Sequence, residues 1–104
     1  MRLDDDARVI LGWTAELTTD PTDATVVLQI GNDERHPMTW TSDAEQNGSR
    51  WTRKAQTVDM LAGTKRPDGS GDIHLPRGRH MAEVILTMPD GQVLPSQPFP
   101  IDVR

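Results

Sequence analysis

The stretch LPRGRHMAEVILTMPDGQVLPSQPFPIDVR, residues 75–104, decides the fold class of this chain. Its first half alternates with the period of two that is typical of a strand with one buried face. The residues of that face are His80, Ala82, Val84, Leu86 and Met88. Residues 89–92, Pro-Asp-Gly-Gln, then combine a fixed φ, a side-chain acceptor and a glycine that tolerates positive φ. We therefore predict a β-hairpin whose second strand runs through residues 99–103.

Two prolines mark one side of the returning strand. Pro98 and Pro100 stand two residues apart, and N–H groups with that spacing point to the same side of a strand. Because proline has no N–H, this side lacks donors at both positions. We therefore predict an edge strand, in which Phe99 and Ile101 bond to the strand that ends near Met88.

The rest of the chain repeats the pattern of short strands and turn residues. Alternating runs cover residues 9–17 and 24–30, a third segment carries Trp40, and Asn-Gly at 47–48 leads into a run from residue 51 to about 61. A short strand at residues 73–75 precedes the final hairpin. Seven short segments without helical periodicity predict an all-β sandwich or barrel. The predicted core is Val26, Leu28, Ile30, Trp40, Val84, Leu86, Phe99 and Ile101.

Length and composition predict one domain over residues 1–104, since 104 residues suffice for a single two-layer core. The run Asp4-Asp5-Asp6 places residues 1–7 as a flexible acidic N-terminal tail. The chain has no cysteine, which favours assembly in a reducing compartment. The first apolar run is too short for a signal peptide or a membrane span, so we expect a soluble protein without membrane contact.

The hairpin sequence resembles the last two strands of an immunoglobulin-like domain. The resemblance rests on LPRGRHMAEVILTMPDGQV followed by FPIDV, with Trp40 matching the core tryptophan of the third strand. His80 stands where such domains carry a corner tyrosine, and Ala82 stands where they carry the second cysteine. The resemblance implies an immunoglobulin-like β-sandwich of about seven antiparallel strands, of a looser kind than antibody domains.

Three further segments resemble small structural proteins of tailed bacteriophages that infect actinobacteria. They are HPMTW, WTRKAQTVDMLAG and LPRGRHMAEVILT, and the resemblance covers the chain from about Ala24 onward. It implies a non-enzymatic virion protein at the head–tail connector or on the capsid or tail surface. The implied partners are other virion proteins in a symmetric multicopy assembly or homo-oligomer, put together in the host cytoplasm.

Candidate catalytic and metal-binding residues do not form a recognisable motif. His36, His74 and His80 lack the short spacing that places metal ligands together on one element. The three N-terminal aspartates could hold a hard cation, but such a run more often forms a solvated tail. Ser42-Asp43 has no nucleophile-elbow context. We predict no enzymatic activity, no metal and no cofactor.

The tryptophans support a second hypothesis, a carbohydrate-binding module for attachment to a host surface. Exposed indole rings can stack on sugars, and three of the four aromatic residues are tryptophan. Trp13 and Trp40 alternate with aliphatic partners and are predicted to lie in the core. Trp51, between Arg50 and Arg53, is predicted to lie at a surface or interface.

Charge is unevenly distributed along the chain. Residues 50–79 carry seven basic and three acidic side chains, a balance of +4, which leaves −9 for the remainder of a chain whose total is −5. This asymmetry predicts an interface with a neighbouring subunit; solvated charges without a partner are the alternative. The overall negative charge argues against nucleic-acid binding.

The predicted interface residues are Arg50, Trp51, Arg53, Lys54, Lys65 and Arg66. Alanine at Trp51 and Arg53 is expected to leave the monomer folded and to reduce its incorporation into particles.

Overall fold

The fold consists of β-strands and connecting turns. A computed structural model describes residues 1–32, 34–69 and 71–104, and 55% of these residues lie in strands and none in a helix. The strands are β1 (Arg2–Leu3), β2 (Arg8–Val9), β3 (Gly12–Leu17), β4 (Thr25–Ile30), β5 (Glu34–Pro37), β6 (Thr39–Trp40), β7 (Glu45–Asn47), β8 (Arg50–Gln56), β9 (Met60–Ala62), β10 (Ile73–Leu75), β11 (Gly78–Thr87), β12 (Val93–Pro95) and β13 (Phe99–Val103). The all-β prediction is confirmed.

The first sheet has the strand order β1-β13-β11-β4-β5, and β12 also pairs with β11. Its centre is the antiparallel pair β4–β11, in which Leu28 lies opposite Val84 and Val26 opposite Leu86. These side chains are at most 4% exposed, so the predicted buried faces are confirmed on both strands; Ile85, on the other face of β11, is buried as well, at 7% exposed.

The second sheet consists of two ladders that follow one another along the same two runs of chain. β3 pairs with β8, and further along β2 pairs with β9. Gly12 lies opposite Gln56 but Arg8 opposite Leu61, so the β8–β9 run holds one extra residue, as in a β-bulge. The side chain of Thr57 lies at this irregularity and accepts a hydrogen bond from the N–H of Leu11 at 3.0 Å. β10 flanks β9, while β6 and β7 flank β8.

One hydrophobic core joins the two sheets. Leu28, Val84 and Ile101 of the first sheet share a cluster with Met60 and Ile73 of the second, an arrangement compatible with a two-layer β-sandwich. Six of the eight predicted core residues are buried. The other two, Trp40 and Phe99, are half-buried and pack against the cluster.

The C-terminal hairpin forms as predicted. The N–H of Gly91 donates to the carbonyl of Met88 at 2.9 Å, and Gly91 has a φ of 92°, which is the role of glycine in a three-residue hairpin loop. The returning strand is interrupted between β12 and β13. There Ser96 bulges, and its hydroxyl accepts a hydrogen bond from the N–H of Val84 at 2.9 Å.

The edge prediction for the last strand is wrong, although Phe99 does pair with β11 as expected. β1 lies parallel to β13 on the side that carries the prolines, with the N–H of Asp102 bonded to the carbonyl of Met1 at 2.8 Å. The missing proline donors end at Pro100, so the strand can pair on that side from Asp102 onward. β10 likewise runs parallel to β9, so the expectation of antiparallel strands throughout is also wrong.

Residues 1–7, predicted as a flexible tail, are docked on the domain. Leu3 is 6% exposed, and the Asp5 carboxylate accepts a hydrogen bond from the N–H of Thr64 at 2.9 Å. That bond, with the guanidinium of Arg77 at 3.2 Å, lowers the pKa of Asp5 below its usual value. Gly63 has a φ of 100°, and a Cβ at this position would collide with the Asp5 carboxylate. The aspartate run therefore forms a turn that joins β1 to the second sheet.

Candidate interaction surfaces

Arg53 lies at the centre of a network that is internal to the chain. Its guanidinium stacks over the ring of Trp40, with 4.5 Å from Cζ to the ring centroid. It also donates hydrogen bonds to the carbonyls of Thr22 at 2.7 Å and Ser42 at 2.9 Å. Arg53 points this way because it alternates in phase with the buried Ala55 on β8. Arg53 is therefore a brace between connecting loops, and its hydrogen bonds and its stacking contact are made within the chain.

Trp40 is held by the same network from the other side. Its indole Nε1 donates to the carbonyl of Ala24 at 2.9 Å. The residue lies on the two-residue strand β6 beside Ala55 of β8 and is half-buried, so it does not have the fully buried position of the core tryptophan that the resemblance implied. One face of its ring is covered by Arg53, and this face is not open to stack a sugar.

The other predicted interface residues of β8 lie on both faces of that strand. Arg50 and Lys54 are exposed, and Arg50 approaches the Glu16 carboxylate at 3.8 Å. Trp51 is half-buried and lies opposite Leu17 of β3 in the strand register. These residues line the end of the second sheet where the β7–β8 turn lies.

Lys65 and Arg66 lie near the opposite end of the molecule. Twelve residues separate Arg50 from Ala62 along β8 and β9, which at about 3.3 Å per residue is roughly 40 Å, and the longest dimension of the molecule is 45 Å. Lys65 approaches Asp6 at 3.6 Å, and Arg66 donates to His74 at 3.0 Å. The six predicted interface residues therefore do not form one continuous patch.

The charge asymmetry of the sequence is largely cancelled in space. Four basic side chains of the 50–79 segment lie within 4 Å of carboxylates that are distant in sequence. These pairs are Arg50–Glu16, Lys65–Asp6, Arg77–Asp5 and Arg79–Asp102. Exposed pairs of this kind add little stability, but they remove the long-range polarity from which the interface was predicted.

A cleft of about 410 Å³ lies between β10, the start of β11 and the β4–β5 turn, and both His74 and His80 line it. His74 donates from Nε2 to the carbonyl of Gly63 at 2.7 Å and accepts at Nδ1 from Arg66. Neither ring nitrogen is left to bind a metal or act as a base. His80 donates from Nε2 to the carbonyl of Pro76 at 2.6 Å. Residues 1–32, 34–69 and 71–104 contain no group of three potential ligands positioned to hold a metal ion.

The outer edge of β3 was missed by the charge-based reasoning. β3 pairs with β8 on one side, and within the part of the chain that the structure describes no strand pairs with its other side. The six residues Gly-Trp-Thr-Ala-Glu-Leu contain no proline and no lysine, the residues that commonly block strand addition. This composition was the available sequence signal.

Six of the eight half-buried apolar residues that pack on the core in the described chain belong to the β2–β3 run and to the returning strand. Val9, Leu11, Trp13 and Leu17 of the β2–β3 run and Leu94 and Phe99 of the returning strand all pack on the core without being fully buried. The opposite side is closed by the chain itself, where Met38 crosses from β5 to β6 and is 8% exposed.

Comparison of the chain with protein-family models, with curated proteins and with solved structures found no match. In the described part of the chain, no helix is long and apolar enough to cross a membrane.

Proposed function

We propose that this chain is an immunoglobulin-like β-sandwich. The strand order supports this assignment: a sheet β1-β13-β11-β4-β5 faces a sheet in which β3, β8 and β6–β7 are neighbours, as in the two sheets of such domains. His80 adds a second point, since its bond to the Pro76 carbonyl four residues upstream imitates the corner tyrosine of that fold.

Within that fold the proposed function is a non-enzymatic virion protein that acts through protein–protein contacts, at the head–tail connector or on the capsid or tail surface. The observation that carries the contact function is the edge of β3, which no strand of the described residues pairs and which no proline or lysine blocks. An edge of this kind is a template for pairing with another chain. The virion setting comes from the resemblance to structural proteins of tailed phages.

Quantitative mass spectrometry of purified particles tests the virion role. We expect the chain in intact particles at many copies per particle, in a fixed ratio to the main capsid or tail protein. Particles that lack the chain while infected cell lysates contain it would overturn the virion role.

Of the three tryptophans, only Trp51 still supports the carbohydrate-binding hypothesis. Trp13 and Trp40 pack on the core, whereas Trp51 is half-buried and stands outside the core cluster. A glycan array probed with the isolated domain tests this alternative. Binding that disappears in Trp51→Ala would favour attachment over particle structure, and an array without signal would remove the hypothesis.

A further inference from the structure

The backbone of β3 is ready to accept a strand. The carbonyl of Leu11 bonds to the N–H of Thr57 at 3.0 Å, so odd-numbered residues of this run face β8. Because donors and acceptors alternate along a strand, the N–H and C=O groups of Gly12, Thr14 and Glu16 face outward. No hydrogen bond from the described residues reaches these groups, and all three residues are exposed.

Other sheet edges in the described residues are short or blunted. β5 has four residues, including Pro37, while β6, β7 and β10 have only two or three residues each. β13 is covered by β1. β3, with six residues, is the longest of the strands named here with an open side. Its inward side chains Trp13 and Leu17, like Leu94 of β12, pack on the core and remain half-buried.

We propose that β3 pairs with β3 of a second copy of this chain, in antiparallel orientation about a two-fold axis at Thr14. In this register Thr14 lies opposite its own copy and Gly12 lies opposite Glu16. On the inward face Trp13 lies opposite Ala15, which sets a large side chain against a small one. The three outward residues of each strand then exchange both backbone bonds with the partner.

The Glu16 charges favour the register centred on Thr14 over the register centred on Ala15. Side chains that lie opposite each other in a sheet must be on the same face of the sheet. The register can therefore shift only in steps that keep outward residues opposite outward residues, and each such step moves the two-fold axis by one residue. With the axis at Thr14 the two Glu16 side chains stand four residues apart, roughly 13 Å. With the axis at Ala15 they become diagonal neighbours about 7–8 Å apart, where like charges repel.

The contact is small, which sets the strength of the expected association. A six-residue strand is about 20 Å long, and the shortest dimension of the molecule is 21 Å, so the contact covers at most about 400 Å² per copy. Stable complexes bury about 800 Å² per partner. The pairing is therefore weak in dilute solution and becomes effective where many copies are held close together.

This inference rests on the proposed contact function but not on the virion setting. The test is sedimentation velocity of the full chain over a wide concentration range. We expect monomer at low micromolar concentration and reversible dimer toward millimolar concentration. A chain that remains monomeric over the whole range would overturn the inference.

Substitutions at Thr14 test the register. Thr14→Lys places two like charges on the two-fold axis and is expected to weaken dimerisation at least tenfold, as is Thr14→Glu. A mixture of Thr14→Lys with Thr14→Glu is expected to form a heterodimer. Thr14→Val, which keeps the N–H group and the side-chain volume, is the matched control and is expected to dimerise like the unchanged chain.

Two results would separate the possible failures. Undiminished dimerisation of Thr14→Lys, or a mixture without heterodimer, would assign the contact to another surface or register. A chain that is present in particles but monomeric in solution overturns the β3 inference alone, whereas a dimer that is absent from particles overturns the virion role alone.

Discussion

Replacement of Arg53 by alanine is expected to destabilise the domain strongly, although arginine is usually a surface residue. The substitution removes two short charge-assisted hydrogen bonds, to Thr22 and Ser42, and the stacking contact with Trp40. Hydrogen bonds to charged groups contribute about 1.5–3 kcal/mol each, and an exposed cation–π contact about 0.5–1 kcal/mol. Because Arg53 is only half-buried, the lower ends of these ranges apply. The free energy of unfolding should therefore fall by about 3–4 kcal/mol.

Urea denaturation followed by circular dichroism measures this difference. For a domain of this size 1 kcal/mol corresponds to about 4–8 °C in Tm, so Arg53→Ala should melt at least 10 °C lower. Lys54→Ala is the matched control: the neighbouring exposed side chain should change stability by less than about 0.5 kcal/mol. Arg53→Lys keeps the charge but loses the planar fork and should fall between the two.

An Arg53→Ala variant within 0.5 kcal/mol of the unchanged chain would refute the assignment of Arg53 as a brace. The same measurement decides how particle experiments can be designed. Because the loss of Arg53 lowers the stability of the fold, reduced incorporation of a variant that lacks Arg53 reports this destabilisation and not the loss of an interface.

Three further predictions concern stability. Leu86→Ala removes a 1% exposed core side chain and should cost about 2–5 kcal/mol in a denaturant titration; a loss below 1 kcal/mol would contradict its central place in the core. His80→Phe loses the bond to Pro76 and should cost about 1 kcal/mol, while His80→Tyr should retain part of it; equal stability of all three chains would remove the corner role. The hydrogen bond from the N–H of Thr64 lowers the pKa of Asp5 in the folded chain. The stability that the ionised Asp5 contributes is therefore present above about pH 4 and is lost as the pH falls through the lowered pKa. Asp5→Asn should therefore show a shallower loss of stability on acidification, and identical pH profiles would contradict the docked N-terminus.

Charges that are segregated along the sequence are not segregated in the folded chain. The balance of residues 50–79 is a property of the sequence, but the fold places residues 5, 6, 16 and 102 each beside a basic residue of that segment. Four of the seven basic side chains of that segment are therefore paired within the chain, and two of the four, Arg50 and Lys65, belong to the predicted interface. The same holds for Arg53, whose neighbours in sequence suggested Trp51 and whose neighbour in space is Trp40.

The all-β class, the buried faces of β4 and β11 and the hairpin at Gly91 could all be predicted from the amino-acid sequence. Each of these follows from interactions between residues close in the chain: a period of two, a glycine able to adopt positive φ, and a side-chain acceptor in the turn. Three features became visible only in the folded chain: β1 covers β13, the aspartate turn docks at Gly63, and no strand of the described residues pairs with the outer edge of β3. Those features depend on which segments, distant in the sequence, pair with each other in the fold. Local patterns in the sequence identify each strand and its buried face, but they do not identify its partner strand.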